Sequence, residues 1–321
     1  MSTPENPASF THIPVLPQET IRFLTEGKKS GRFRMIDCTL GRGGHSSMVL
    51  RQNPDAEILA LDRDSVAIAQ SAKVLEFAAE RVFAVQTDFA GMKDAAGKIG
   101  WDQCDAVLMD LGVSSPQIDD PSRGFSFRFN GPLDMRMDQS AEVTARRILN
   151  FSSEEELCRI FREYGELRSA AKLARAVVEQ RTESFFGTTA DLVKLCDKTL
   201  GKSAPGKLPI PTLVFQALRI AVNRELEQLE QGLESAVELL GGKGRLAVIS
   251  FHSLEDRIVK EFFRRESTAC ICPPGLPICC CGHKAALELP LRFKVVTASK
   301  EELKANPRAA CAKLRIAEKI N

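Results

Sequence analysis

Aromatic residues with a polar handle are almost missing. The 321 residues include one tryptophan, Trp101, and one tyrosine, Tyr164, and only four histidines. Chemistry that relies on histidine is therefore confined to very few positions. Charge of one sign is missing too: 44 Lys and Arg against 42 Asp and Glu leave a net charge of +2. That balance excludes a uniformly basic surface, so any face that grips phosphates must be local. No apolar run approaches the roughly 18 residues a membrane-spanning helix needs. Residues 1–15 carry neither a basic leader region nor an apolar one, so no signal peptide is expected and the protein is read as cytoplasmic, with no membrane partner. Hydrophobic residues reach 44%, enough for a full-sized core without disulfides.

The first third alternates between strand and helix. Apolar stretches at 33–38, 58–61, 81–85 and 106–109 are predicted strands, and 45–52 and 65–80 are predicted helices. Such alternation, with near-continuous apolar strands, predicts a parallel sheet covered on both faces. From about 141 to 199 the pattern is helical, with Ser152-Ser153 before three glutamates reading as an N-terminal cap. Strand character returns at 245–249 and near 292–296. The chain is thus expected to be α/β, a Rossmann-like sheet domain (1–114 and 219–321) interrupted by a helical insertion (115–218). That insertion is assigned to substrate recognition.

Segment 37–45, DCTLGRGGH, follows a strand and opens a helix. Glycines there let the backbone turn tightly and approach a ligand closely. Asp62 ends the next strand, about 20 residues past the glycines, where Rossmann-like sites place the acid that accepts from ribose hydroxyls; a helix N-cap is the plainer role for it. Asp88-Phe89 ends the third strand, with Phe89 either an adenine contact or core. The turn lacks the third spaced glycine of a dinucleotide site, while Asp37 stands four residues before it. Acid-xxx-GxG resembles the first motif of class I methyltransferases, which favours S-adenosylmethionine over a nicotinamide dinucleotide.

Longer motifs are more specific: HIPVL at 12–16, LDRD at 61–64, DLGVSSPQIDD at 110–120, RGFSF at 123–127, GPLDMRMD at 131–138, SFHSLEDRIVK at 250–260 and NPRAACAKLR at 306–315. Together they closely resemble the bacterial 16S ribosomal RNA (cytosine-N4) methyltransferase family. The resemblance implies S-adenosylmethionine as donor and a cytidine of the small-subunit decoding region as acceptor. It implies Gly43, Gly44, His45, Asp62, Phe89, Asp110 and Gln117 as cofactor residues. One departure is Cys311, where the family usually carries serine.

The N4 amine of cytosine is a poor nucleophile, so an enzyme must hold it in line with the donor methyl and offer acceptors to its hydrogens. No covalent nucleophile is needed. Asp110, at the end of the fourth strand, is the first candidate acceptor. His252 is the second catalytic candidate, with a loop-tying role as its alternative, and Phe251 either stacks on the base or packs. Arg123, Arg128 and Arg136 flank aromatics beside the site motifs and are expected to bind RNA; segments 168–219 and 284–319 each carry nine basic residues against four acids. Four of the ten cysteines form two CxC pairs, Cys270/Cys272 and Cys279/Cys281, bracketing a Pro-rich hexapeptide. Paired cysteines read as a structural zinc site, with a reduced loop as the alternative.

Within the same class the rival is a DNA cytosine-N4 or adenine-N6 methyltransferase, but the Pro-Pro-aromatic motif is missing after Asp110. A nicotinamide-dependent oxidoreductase and a non-catalytic RNA-binding module explain fewer of the motifs. The expected partner is 16S rRNA or the small subunit; monomer and homodimer both stay open.

Overall fold

The computed structural model describes residues 14–27, 31–203, 205–206, 208–273, 278–291 and 294–321. Residues 1–13, which include His12 and Ile13 of the first motif and most of the segment read for a signal peptide, and Arg292-Phe293 of the last predicted strand lie outside these. The chain divides into two compact units, Met1–Leu111 with Leu233–Asn321, and Gly112–Gly232.

The first unit is built on a seven-stranded sheet. Its strands are β1 (Phe33–Asp37), β2 (Ala56–Asp62), β3 (Val82–Gln86), β4 (Cys104–Asp110), β5 (Leu240–Ser250), β6 (Leu287–Glu288) and β7 (Lys313–Lys319), in the order β3-β2-β1-β4-β5-β7-β6. The first five run parallel; β7 is antiparallel to both β5 and β6. This is a Rossmann-like α/β sheet with an antiparallel edge. Ile58, Leu59, Ala60, Leu61, Ala106, Val107, Leu108 and Met109 are fully buried, as strands covered on both faces must be. Sheet-unit helices include α1 (Pro17–Thr25), α2 (Gly44–Gln52), α3 (Ser65–Val74) and α4 (Met92–Lys98). α3 stops short of the predicted Glu80. Ala78, at φ −139°, breaks the helical path, and Glu76–Arg81 winds as a 3-10 turn.

Strand order reverses at β1, which pairs with β2 on one side and β4 on the other. Ligands of open α/β sheets bind at such a switch point, outside the carboxyl ends of the strands. Asp37, Asp62 and Asp110 stand at those ends.

The second unit is helical: α5 (Ser115–Asp119), α6 (Ala145–Phe151), α7 (Glu154–Glu163), α8 (Ala170–Glu183), α9 (Thr189–Leu200) and α10 (Ile210–Asn223). Ser153 caps α7 by accepting from the Glu156 amide, and Glu154–Glu156 fill the first turn beside the positive end of the helix dipole. Leu149, Leu157, Phe161, Leu173, Val177, Phe186, Leu192, Val214 and Leu218 form a core of its own. After it come α11 (Glu225–Leu239), then α12 (Ser253–Glu266) and α13 (Lys300–Ala305). Among the described residues no helix is long and apolar enough to cross a membrane.

Candidate active site

The glycine turn is held by its own backbone and by the neighbouring acid. Gly43 adopts φ +75° and caps α2, its amide donating to the Leu40 carbonyl at 2.7 Å. A Cβ on Gly43 would stand 3.1 Å from the Leu75 side chain, and one on Gly44 would stand 3.0 Å from Pro14. Gly43 is favoured by its left-handed conformation, and a side chain at either position would require its neighbour to shift.

Asp62 accepts from the Gly41 amide at 2.8 Å on one oxygen and from the Asp64 amide at 2.9 Å on the other. Asp64, not Asp62, is the N-cap of α3, accepting from the Val66 amide at 3.0 Å. Asp62 is thus no helix cap. The Arg63 amide adds a further bond to the same carboxylate. Burial raises its pKa, against the bonds from the Asp64 and Gly41 amides that lower it. Phe89, half-buried, opens a 3-10 turn capped by Asp88.

Asp37 is buried at 1% exposure and accepts from the Ser46 hydroxyl at 2.6 Å and the Thr39 amide at 3.2 Å. Burial pushes it up to about 6, the Ser46 and Thr39 bonds pull it down, and the charge of Asp62 adds a further upward push. Thr39 also accepts from the Asp110 amide at 2.7 Å, fastening the turn to the end of β4.

Asp110 itself differs from every acid around it. Its Oδ1 is buried and makes no hydrogen bond, although the side chain keeps 23% exposure through its other atoms. Its Oδ2 lies 3.8 Å from His45 Nδ1, and His45 Nε2 meets the Val15 carbonyl at 3.0 Å. Burial holds the Asp110 carboxyl well above the ordinary range, and the charges of Asp37 and Glu255 add to the shift. An unsatisfied buried carboxyl oxygen costs on the order of 1–3 kcal/mol. It persists where a ligand supplies the missing partner.

His252 caps α12. Its Nδ1 accepts from the Glu255 amide at 3.4 Å, and its Nε2 lies 3.1 Å from Glu255 Oε1 without hydrogen-bond alignment. Glu255 Oε2 in turn accepts from the amides of Phe251 and His252, at 2.8 and 3.3 Å. The histidine is therefore built into a loop lock. Glu255, 2% exposed, escaped sequence reasoning, although its position three residues after His252 matches a capping-box spacing. Phe251 is half-buried and packs on the sheet core.

The MraW methylase family model matches residues 9–320. The chain belongs to the MraW methylase family. It is 46% identical over 312 residues to the Ribosomal RNA small subunit methyltransferase H of Carboxydothermus hydrogenoformans, covering 97% of this chain and 99% of that one. It is 45% identical over 317 residues to the protein of the same name from Thermomicrobium roseum, covering 98% and 96%. The Symbiobacterium thermophilum protein of that name is 46% identical over 314 residues, covering 97% and 98%.

Three expected site residues of this MraW-family chain fall in the helical unit. Gln117 sits in α5, 5% exposed, its side chain accepting from the Ser114 amide at 3.0 Å. Arg123 is buried at 6%, and its Nη2 donates to the carbonyls of Arg136 and Met137, each at 3.0 Å. Arg136 forks onto Asp134 at 2.8 and 2.7 Å and donates to the carbonyls of Gln139 and Ala141. Both guanidiniums brace the 121–141 loop. Gly124 and Gly131 belong to the same scaffold, since a Cβ on either would overlap a backbone carbonyl, of Pro132 and Pro121 respectively. Asn223, 2% exposed, completes it by accepting from the Met137 amide and donating to the Met135 carbonyl, both at 2.8 Å; no motif pointed to it.

Exposed cations remain elsewhere in this unit: Arg128, and Arg168, Lys172, Arg175, Lys194, Lys198 and Lys202 on and around α8 and α9. Cavities of about 160 and 310 Å³ lie here, lined by residues of α8 and α9, the smaller one also by Phe185 and Phe186.

Proposed function

We propose that the chain transfers the methyl group of S-adenosylmethionine to the N4 amine of a specific cytidine in the decoding region of small-subunit rRNA, acting in the cytoplasm. The observation that carries this reading is the buried Asp110 Oδ1 without a partner, at the carboxyl end of β4 and joined through Thr39 to the glycine turn. The curated relatives' name, with its small-subunit rRNA, supports the acceptor.

The residues of the sheet unit fit a nucleoside donor that carries an amino-acid tail. The turn at Gly43-Gly44 admits close approach, Asp62 offers acceptor capacity to ribose hydroxyls, and Phe89 stands at the end of β3 for the base. His45 steadies Asp110, and Gln117 keeps its place among the residues proposed to meet the donor. The donor supplies an electrophilic methyl on a cationic sulfonium, and such a charge near Asp110 favours its ionised form.

Asp110 would accept a hydrogen bond from the N4 amine and take its proton as the N–C bond forms and the methyl–sulfur bond breaks, the sulfur leaving as a neutral thioether. A carboxyl whose proton affinity is raised by burial suits that task better than an exposed one. His252 is a positioning residue, which with Glu255 fixes the start of α12, while Phe251 remains the residue proposed to meet the base. Exposed Arg128 and the cations of α8 and α9 are assigned to RNA phosphates. The target must be unpaired or flipped to reach such a site.

The test is transfer of labelled methyl to small subunits from a strain lacking the enzyme, followed by identification of the nucleoside. Labelled N4-methylcytidine is expected; label only on another nucleoside, or only on DNA, overturns the reading.

A further inference from the structure

The cysteine loop plays no part in that transfer, yet its geometry is specific. It leaves the end of α12 and returns to β6, and the Ala286 amide closes its base by donating to the Glu266 carbonyl at 2.8 Å. Within it four sulfurs converge. The Sγ atoms of Cys270 and Cys279 are 3.4 Å apart, those of Cys279 and Cys281 3.5 Å, those of Cys270 and Cys281 3.9 Å, and those of Cys272 and Cys279 4.0 Å. All four lie within 4.8 Å of one another.

Two ordinary explanations fail for such a cluster. Disulfides hold sulfurs about 2.05 Å apart, and all ten cysteines are free thiols. Apolar burial does not gather them either, because Cys270 and Cys279 are exposed and Cys272 and Cys281 only half-buried. A tetrahedral ion with zinc–sulfur bonds of about 2.3 Å places its sulfurs about 3.8 Å apart. The measured separations straddle that value.

We propose that Cys270, Cys272, Cys279 and Cys281 bind one structural zinc ion. Soft thiolate ligands in a tetrahedral set select zinc or iron over magnesium or calcium. Four protein ligands leave no open coordination position, so the site is structural and not catalytic. Outer contacts suit thiolates: the Cys272 amide points at the Cys270 sulfur at 3.5 Å, and the Cys280 amide at the Cys272 sulfur at 3.4 Å. Such N–H donors stabilise metal-bound sulfur. Two neighbours are left out. Cys280 approaches Cys272 alone, at 3.9 Å, and His283 Nε2 is engaged with the Arg265 carbonyl at 2.9 Å. On binding, each thiol that ionises releases its proton to solvent, and no electron moves.

The experiment is elemental analysis of the full chain, purified untagged under reducing conditions with zinc in the growth medium. One equivalent of zinc per chain is expected, and a chain carrying iron or no metal overturns the proposal. Cobalt(II) added to the chelator-treated protein is expected to give the visible bands of a tetrahedral thiolate site; an octahedral spectrum, or none, overturns it. Cys270→Ser with Cys281→Ser should lower the zinc content at least tenfold, while Cys280→Ser should leave it unchanged. Equal loss in Cys280→Ser and Cys281→Ser overturns the ligand set. Protease cleavage of the loop should rise on metal removal in the unaltered chain and stay the same in the double variant.

Discussion

Two loops bury charge in opposite ways. At the end of β4, Asp110 keeps a buried oxygen with no hydrogen-bond partner. In the 121–141 loop, Arg123 and Arg136 spend their guanidinium donors on carbonyls and on Asp134. Both sets of residues lie in long motifs, and sequence alone ranked them together as site residues. What separates them is unspent bonding capacity. Both arginines are engaged by the loop, whereas Asp110 keeps capacity that a bound molecule can fill, as His252 Nε2 also does beside its capping role.

The sharpest way to break this contrast is to remove the unspent group. Asp110→Asn should lower single-turnover methyl transfer by about 10²–10⁴-fold, the range expected for losing a positioned base. The folded state should lose nothing, since the carboxyl it replaces was unsatisfied and poorly solvated. A small activity change together with a lower melting temperature would place Asp110 among the scaffold residues.

The converse is expected at Arg123. Arg123→Ala strands the carbonyls of Arg136 and Met137 and should destabilise the helical unit by about 2–4 kcal/mol. Hydrogen exchange across 131–146 should quicken accordingly, while donor affinity, measured by calorimetry on the folded fraction, stays unchanged. A stable Arg123→Ala chain with weakened RNA binding would return this residue to the substrate surface.

Asp37 tests the same idea through pH. Its pKa is about 6 in the folded chain against the ordinary 3.8, so the folded state holds a proton that the unfolded state has released. Stability therefore falls as pH rises from about 4 to 6, by about 3 kcal/mol at roughly 1.4 kcal/mol per pKa unit. Asp37→Asn should flatten that slope, as read from urea midpoints between pH 4 and 7. An unchanged slope would move the buried proton to another group.

Much of the sheet unit was legible because its strands are apolar on both faces and end in acids. The lesson changes at β7. Its sequence, KLRIAEK, carries charges that resemble a loop, and no strand was predicted there. Arg315 is nonetheless 8% exposed, its Nε 2.7 Å from Asp256, which also meets Lys313 at 3.0 Å. A partner 59 residues away in sequence makes that strand affordable, and no local pattern announces it. The same holds for Glu255, whose work on His252 and near Asp110 depends on where β5 ends. Of the predicted strand near 292–296, residues 294–296 are described, and Val296 alone of these pairs, as a bridge to Leu314.

The smallest expected effect concerns the surface that sequence counted without locating. Lys172, Arg175, Lys194 and Lys198 are exposed and line the cavities between α8 and α9. If they contact phosphates, each replacement by alanine should weaken RNA binding only several-fold at moderate salt. It should also reduce the salt-dependence slope of log affinity by about 0.7–0.9. A solvated helix face with no RNA contact would leave the slope unchanged. Because these side chains brace no backbone, their loss should leave the melting temperature within the scatter of ordinary surface changes, about ±0.5 kcal/mol in stability terms. That separates them from Arg123, where affinity and stability must fall together if RNA binding is affected at all, and so tells a contacting cation from one that merely shapes the loop.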